Sequence, residues 1–180
     1  MTTSEAIAFE ATFNRYYHLV YQLAFRCVGQ ADEAEDIAQE VFLRFYNTPP
    51  TTTNEAGQRA WLCRVATNLG LNVLRSRKRR TTREEEIGVT TYREAELSAA
   101  EQDPEYLMLV DEQNSQVRTL LAALPERQQT LLLLRSIGLS YAEIAQAANI
   151  SITSVGPLLT RAMRDFRRKY HERTLALEAK

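Results

Sequence analysis

The beat of the apolar residues constrains this chain most. Phe9, Phe13, Tyr16, Val20, Leu23 and Cys27 are spaced 4, 3, 4, 3 and 4 apart, which places them on one stripe of a helix. Gly29 is a plausible stop for that helix. Asp32 followed by Glu35 resembles a capping box opening a second helix, whose inward face is Ala34, Ile37, Ala38, Val41, Phe42 and Phe45. The run Asn47-Thr48-Pro49-Pro50-Thr51-Thr52-Thr53 cannot continue it. A third helix is expected from about Gln58, with Leu62, Val65, Ala66, Leu69 and Val73 inward. Three helices sharing one core make a small bundle. Composition agrees: only 6 Gly and 5 Pro occur in 180 residues, of which 44% are hydrophobic.

Past Thr81 the periodicity is lost while acidity rises, so residues 84–103 read as an acidic linker. Asp103-Pro104 reads as an N-cap with proline at the first helical position. That helix reaches Ala123 and is broken at Leu124-Pro125. The next is expected to bury Leu131, Leu132 and Leu134 and to end at Gly138. Ser140-Tyr141-Ala142-Glu143 is a second capping box, and a last helix begins between Ser151 and Ser154. The expected fold is all-α, with two small helical domains: a bundle over 1–83, the linker 84–103, a second domain over 104–173 and a tail 174–180.

A formal net charge of −1 hides strong blocks. Residues 1–48 carry seven acids against three bases. Residues 75–83 hold six bases and no acid, and residues 84–112 hold ten acids against Arg93 alone. Residues 161–173 return to six bases against two acids. Two cationic patches flanking an acidic connector point to two nucleic-acid contacts joined by a spacer. The plainer account of either patch alone is a basic helix end complementing its dipole.

Each patch adjoins a suggestive helix. Ala145 is small where two helices must approach, Asn149 tolerates a left-handed turn, and Val155 can pack the second helix on the first. Ile144, Ile150 and Leu159 complete that core. This is helix-turn-helix spacing, with the second helix destined for the major groove and Arg161, Arg164, Arg167 and Arg168 beside it for phosphates. An ordinary helical hairpin would be the bland alternative. The third helix displays Trp61, Arg64, Asn68, Asn72, Arg75 and Arg79 opposite its apolar face. Tryptophan can stack an unpaired base, worth about 1–3 kcal/mol, and asparagine can bond base edges. Otherwise Trp61 packs into the bundle.

Other classes fit poorly. His18 and His171 lie in different halves, with no Ser/His/Asp or Cys/His cluster and no phosphate-cradling loop, so no enzyme, cofactor or metal is expected. Asp36 and Glu40 sit one helical turn apart and suit docking better than metal binding. Cys27 and Cys63 make no disulfide framework, and buried structural thiols are expected, with redox sensing as the alternative. No apolar run approaches the roughly 20 residues that span a bilayer. Met1-Thr2-Thr3-Ser4-Glu5 is not a signal peptide, so a cytoplasmic location is expected.

On these residues the chain resembles a bacterial RNA polymerase sigma factor of the extracytoplasmic-function (ECF) group, minimal members built from regions two and four. Three motifs carry the resemblance. Ala34 to Arg44 is similar to the family's polymerase-binding helix, which implies that Asp36, Gln39, Glu40, Phe42 and Arg44 contact the beta-prime clamp helices. Ala60 to Asn68 resembles the helix that melts and reads the minus-ten element. That implies DNA contacts from Trp61, Arg64, Asn68, Asn72, Arg75, Arg77, Lys78, Arg79 and Arg80. Leu124 to Ala162 resembles the domain that reads the minus-thirty-five element, implying contacts from Ser140, Tyr141, Thr153, Ser154, Thr160, Arg161, Arg164 and Arg168. By position, residues 47–58 correspond to the loop that captures a flipped base. The resemblance also implies core RNA polymerase (beta-prime clamp helices and beta flap), promoter DNA and an anti-sigma factor as partners, with no membrane insertion.

One departure stands out. Val155-Gly156-Pro157-Leu158-Leu159 occupies the reading helix where the family usually has a basic or polar run. A proline inside a helix costs about 3 kcal/mol, so the helix is expected to start late, near Ser154, or to bend at Gly156-Pro157. Base readout is then expected from Thr153, Ser154, Thr160 and Arg161, with weaker direct discrimination. The competing reading is a stand-alone helix-turn-helix regulator, which leaves the docking helix and the Trp61/Asn68 face unexplained. An anti-sigma or adaptor protein would not need two basic patches.

Overall fold

Seven helices make up the described residues of the computed structural model, which are 3–51, 54–87 and 104–178. In order they are α1 (Thr3–Val28), α2 (Ala31–Asn47), α3 (Glu55–Ile87), α4 (Pro104–Ala122), α5 (Glu126–Ser136), α6 (Tyr141–Ala148) and α7 (Ile152–Glu178). The apolar stripe of α1 does what its spacing predicts: Tyr16, Val20, Leu23 and Cys27 are buried, and Phe9 and Phe13 are half-buried against α2. Phe13 meets Phe42 with ring centroids 4.8 Å apart. At Gly29 the backbone turns left-handed (φ +75°), and a side chain there would collide with Arg118 of α4.

All six expected inward residues of α2 are buried. Its expected capping box is not formed. The N-cap is Gln30, whose side chain makes no cap bond. Instead Arg77 of α3 reaches back to this corner, donating to Val28 O and Gln30 Oε1 at 2.8 Å each and pairing with Glu33. A guanidinium from a distant helix thus satisfies the end of α1 and grips the start of α2.

The third helix starts three residues before Gln58, because Asn54 Oδ1 accepts from the Gly57 amide at 2.6 Å. It runs through the basic block to Ile87, past the expected boundary at 83. Leu62 and Ala66 are buried, while Val65, Leu69 and Val73 are half-buried against the core. Gly70 lets α3 approach α1 closely, since a β-carbon there would stand 2.7 Å from Cys27 Sγ.

The second half begins at Pro104, with Asp103 and the remaining linker residues, 88–102, outside the described residues. In α5 the buried leucines are Leu131, Leu133 and Leu134. Leu132, expected inside, is only half-buried, because that side of α5 faces a groove rather than the core. The helix ends at Ser136, two residues short of Gly138. The capping box at Ser140 is present, and Asn149 adopts the left-handed turn (φ 53°, ψ 54°). The last helix begins at Ile152 rather than near Ser154 and runs unbroken through Pro157. Proline is the sixth residue of α7, so only the bond that its missing N–H would make to Thr153 O is lost. The two halves touch: α3 packs on α6, and α1 on α4 and α5. Their buried residues form one continuous cluster.

Candidate nucleic-acid interface

The turn between α6 and α7 is built as its spacing predicts. Ser140 Oγ accepts from the Glu143 amide at 3.3 Å, while the Ser140 amide donates to Glu143 Oε2 at 2.8 Å. Ala145 is buried at the crossing, and Ile150 N donates to Ala145 O at 2.9 Å. Val155, Leu159 and Ala162 are buried on the inner face of α7. Opposite them the helix is open: Thr153, Pro157, Thr160, Arg161 and Arg164 are exposed, and Ser154 is half-buried. Tyr141 is exposed at the start of α6, with the Arg135 guanidinium 5.7 Å from its ring centre.

Farther along α7, Arg161, Arg164, Arg167 and Arg168 all reach solvent. Arg168 lies 3.6 Å from Asp165 and 3.8 Å from Glu172, and Arg164 lies 3.9 Å from Asp165. These are loose pairs whose arginines are exposed, and a phosphate could displace them at little cost. Asp165 is held below its ordinary range first by a 2.8 Å hydrogen bond from Gln128 and further by the neighbouring arginines.

The α3 face is different. Trp61 is half-buried and packs edge-on against Phe45, with centroids 5.8 Å apart. Arg64 donates from Nε to Ala147 O at 2.9 Å and from Nη2 to Gln146 O, at the last turn of α6. Arg75 bonds Asn72 and pairs with Glu126 of α5. Arg77 is tied into the bundle corner already described. Asn68, Lys78, Arg79 and Arg80 are exposed. Arg59, half-buried just before Trp61, pairs with Glu143 Oε1 at 2.8 Å. Burial alone would raise the Glu143 pKa, but the bonds from Ser140 and the Arg59 charge together hold it below the ordinary glutamate value.

On α2, Asp36, Gln39 and Arg44 are exposed and Glu40 is half-exposed, with Arg44 Nε 2.7 Å from Glu40 Oε1. Phe42 is buried at 3% exposure, so it supports this face from beneath. Leu43, which sequence reasoning passed over, is 55% exposed on the same face and adds apolar surface to it. The i, i+3, i+4, i+7 spacing of Asp36, Gln39, Glu40 and Leu43 was the signal that could have found it.

A groove of about 1080 Å³ runs between α1, α4, α5 and α7. Its floor includes Phe25, Val117, Leu121, Leu132 and Met163, and Arg26, Arg118, Arg135, Arg164 and Arg167 also line it. Sequence reasoning missed it because its walls come from five separate helices, Tyr141 of α6 included. The thiols of Cys27 and Cys63 are buried, and desolvation pushes both up to about 12, so at neutral pH they are protonated and unreactive.

Comparison with known proteins falls on the same elements. A family model described as Sigma-70 region 2 matches residues 12–80, and one described as Sigma-70, region 4 matches residues 114–166. The RNA polymerase sigma-H factor of Pseudomonas aeruginosa is 32% identical over 162 residues, covering 86% of this chain and 82% of that protein. The ECF RNA polymerase sigma factor SigW of Bacillus subtilis is 29% identical over 170 residues, covering 92% and 90%. Among solved structures, CnrH in complex with the cytosolic domain of CnrY shares the fold at TM-score 0.63 and 17% identity, covering 93% of this chain and 90% of that one. The sigma factor RpoE of Bartonella quintana, solved with the anti-sigma factor NepR, does so at TM-score 0.60 and 18% identity, covering 91% and 97%.

Proposed function

The chain belongs to the ECF sigma factors, which bind core RNA polymerase and direct initiation at chosen promoters, and from that premise we propose how its helices divide the work. The outer face of α2 docks on the beta-prime clamp helices through Asp36, Gln39, Glu40, Leu43 and Arg44. The exposed end of α3, with Asn68, Arg79 and Arg80, takes the melted strand at the minus-ten element. The outer face of α7 lies in the major groove of the minus-thirty-five element, its domain carried by the beta flap. In this division the bundle is residues 1–83 and the second domain 104–173. The observation that carries the division is the helix-turn-helix geometry of α6 and α7 beside an open arginine row.

Free chain and working chain then differ. Arg64 cannot hold a phosphate while it bonds Ala147 and Gln146, and Arg75 must give up Glu126 to do so, so promoter engagement separates α3 from α6. Polymerase, which grips each domain, supplies the separation. The groove between α1, α4, α5 and α7 suits an acidic amphipathic helix of an anti-sigma factor, since its floor is apolar and five arginines line it. The solved relative bound to NepR supports a partner of that kind. No described helix is long and apolar enough to cross a membrane, and the chain works where the polymerase is, in the cytoplasm.

Run-off transcription with core polymerase and a genomic fragment library tests the division. The wild type initiates at a discrete set of start sites, and an Arg79→Ala, Arg80→Ala double variant loses open complexes while still binding core. Initiation unchanged by that double variant would overturn the role given to α3.

A further inference from the structure

The outward face of α7 carries a proline at its centre among threonines and arginines. At about 100° per residue, Thr153, Pro157, Thr160 and Arg164 lie within roughly 60° of one another, opposite the buried Val155, Leu159 and Ala162. The hydroxyls that sequence reasoning assigned to base readout each make a local bond, which leaves them acceptor capacity but occupies a donor. Thr160 Oγ1 donates to Gly156 O at 3.0 Å. Ser151 Oγ lies 3.1 Å from Thr153 Oγ1 and 2.6 Å from Ser154 Oγ, a closed cluster at the start of α7. At the centre of that face the exposed apolar residue is Pro157, between Thr153 and Thr160 and with Arg164 beside it, and Ile152 is 53% exposed at the first turn.

In the major groove only one feature of a base pair rewards such a surface, the 5-methyl group of thymine. We propose that Pro157, with the methyls of Thr153 and Thr160, selects thymine by apolar contact at the centre of the upstream element, so that Pro157 is a specificity residue rather than a defect of the helix. Arg161 and Arg164 then anchor the helix on the flanking phosphates. The inference rests on the reading that α7 enters the upstream duplex, and it specifies what α7 recognises there.

The test uses holoenzyme and a duplex whose upstream element has been selected by that holoenzyme from a randomised library. Each thymine of the element is replaced in turn by deoxyuridine, which removes the methyl and leaves the base-pairing edge intact. Wild-type holoenzyme is expected to lose about fourfold in affinity at one or two positions, the worth of a buried methyl group. Pro157→Ala, which restores an amide hydrogen and a better helix former, keeps the fold and becomes indifferent to deoxyuridine at that position. Thr160→Ser, which keeps the bond to Gly156 O but lacks the methyl, halves the discrimination. Loss at no position, or equal loss in Pro157→Ala, overturns the proposal. Failure of the underlying reading shows separately: Arg164→Ala would then leave affinity for the selected duplex untouched.

Discussion

The two arginine-rich helices look alike in sequence and have opposite fates in the structure. In α3 the guanidiniums of Arg64, Arg75 and Arg77 are bound to carbonyls and carboxylates of other helices. In α7 those of Arg161, Arg164, Arg167 and Arg168 reach solvent, with only loose acidic neighbours. A run of positive charge therefore says where phosphate could be held, and the tertiary partners decide whether it is free to do so. One cluster is presented and the other is partly withheld.

This contrast can be broken most sharply at Arg77. Replacing it by alanine removes a charged donor from two acceptors at 2.8 Å and from Glu33, and is expected to cost about 2 kcal/mol in urea denaturation. Arg167→Ala should stay within about 0.5 kcal/mol while lowering the salt slope of promoter binding by about one. Equal stability losses at the two sites would erase the distinction. A smaller effect sharpens it. Arg59→Glu sets two carboxylates against each other at Glu143 and should open the free chain, raising its radius of gyration by scattering. Its affinity for a mixed-sequence single-stranded 30-mer should rise about threefold as Arg64 and Arg75 are released. An expanded variant with no gain in binding would mean that α3 is not the withheld surface. The smallest effect is on pH. Glu143 has a depressed folded pKa, so its contribution is present above the ordinary glutamate value of 4.5 and is lost as pH falls below it. The stability gap between wild type and Glu143→Gln should accordingly be open at pH 7 and shrink toward pH 3.

What was legible in the sequence is local. The 4, 3, 4 beat located α1, the apolar face from Ala34 to Phe45 located α2, and the Ser140/Glu143 box and Asn149 located the turn between α6 and α7, because each depends on residues within one or two turns. The same logic failed at Asp32 and Glu35, where the corner is held by Arg77 from 47 residues beyond Gln30. It was silent about Arg64, whose acceptor Ala147 lies 83 residues away. It also overstated Pro157, since a helix whose inner face is fixed by Val155, Leu159 and Ala162 tolerates one missing bond. The hydroxyls of Thr153, Ser154 and Thr160 read as free groups in one dimension, and the folded helix turns them on one another and on its own backbone.

Glu143 gives each of its oxygens a separate duty: Oε2 turns to Ser140 and Oε1 to Arg59. Letting go of Arg59 therefore leaves the start of α6 secured. In the opening proposed above, the turn between α6 and α7 would keep its own fastening, and what has to be uncovered is the apolar cluster that the two halves share.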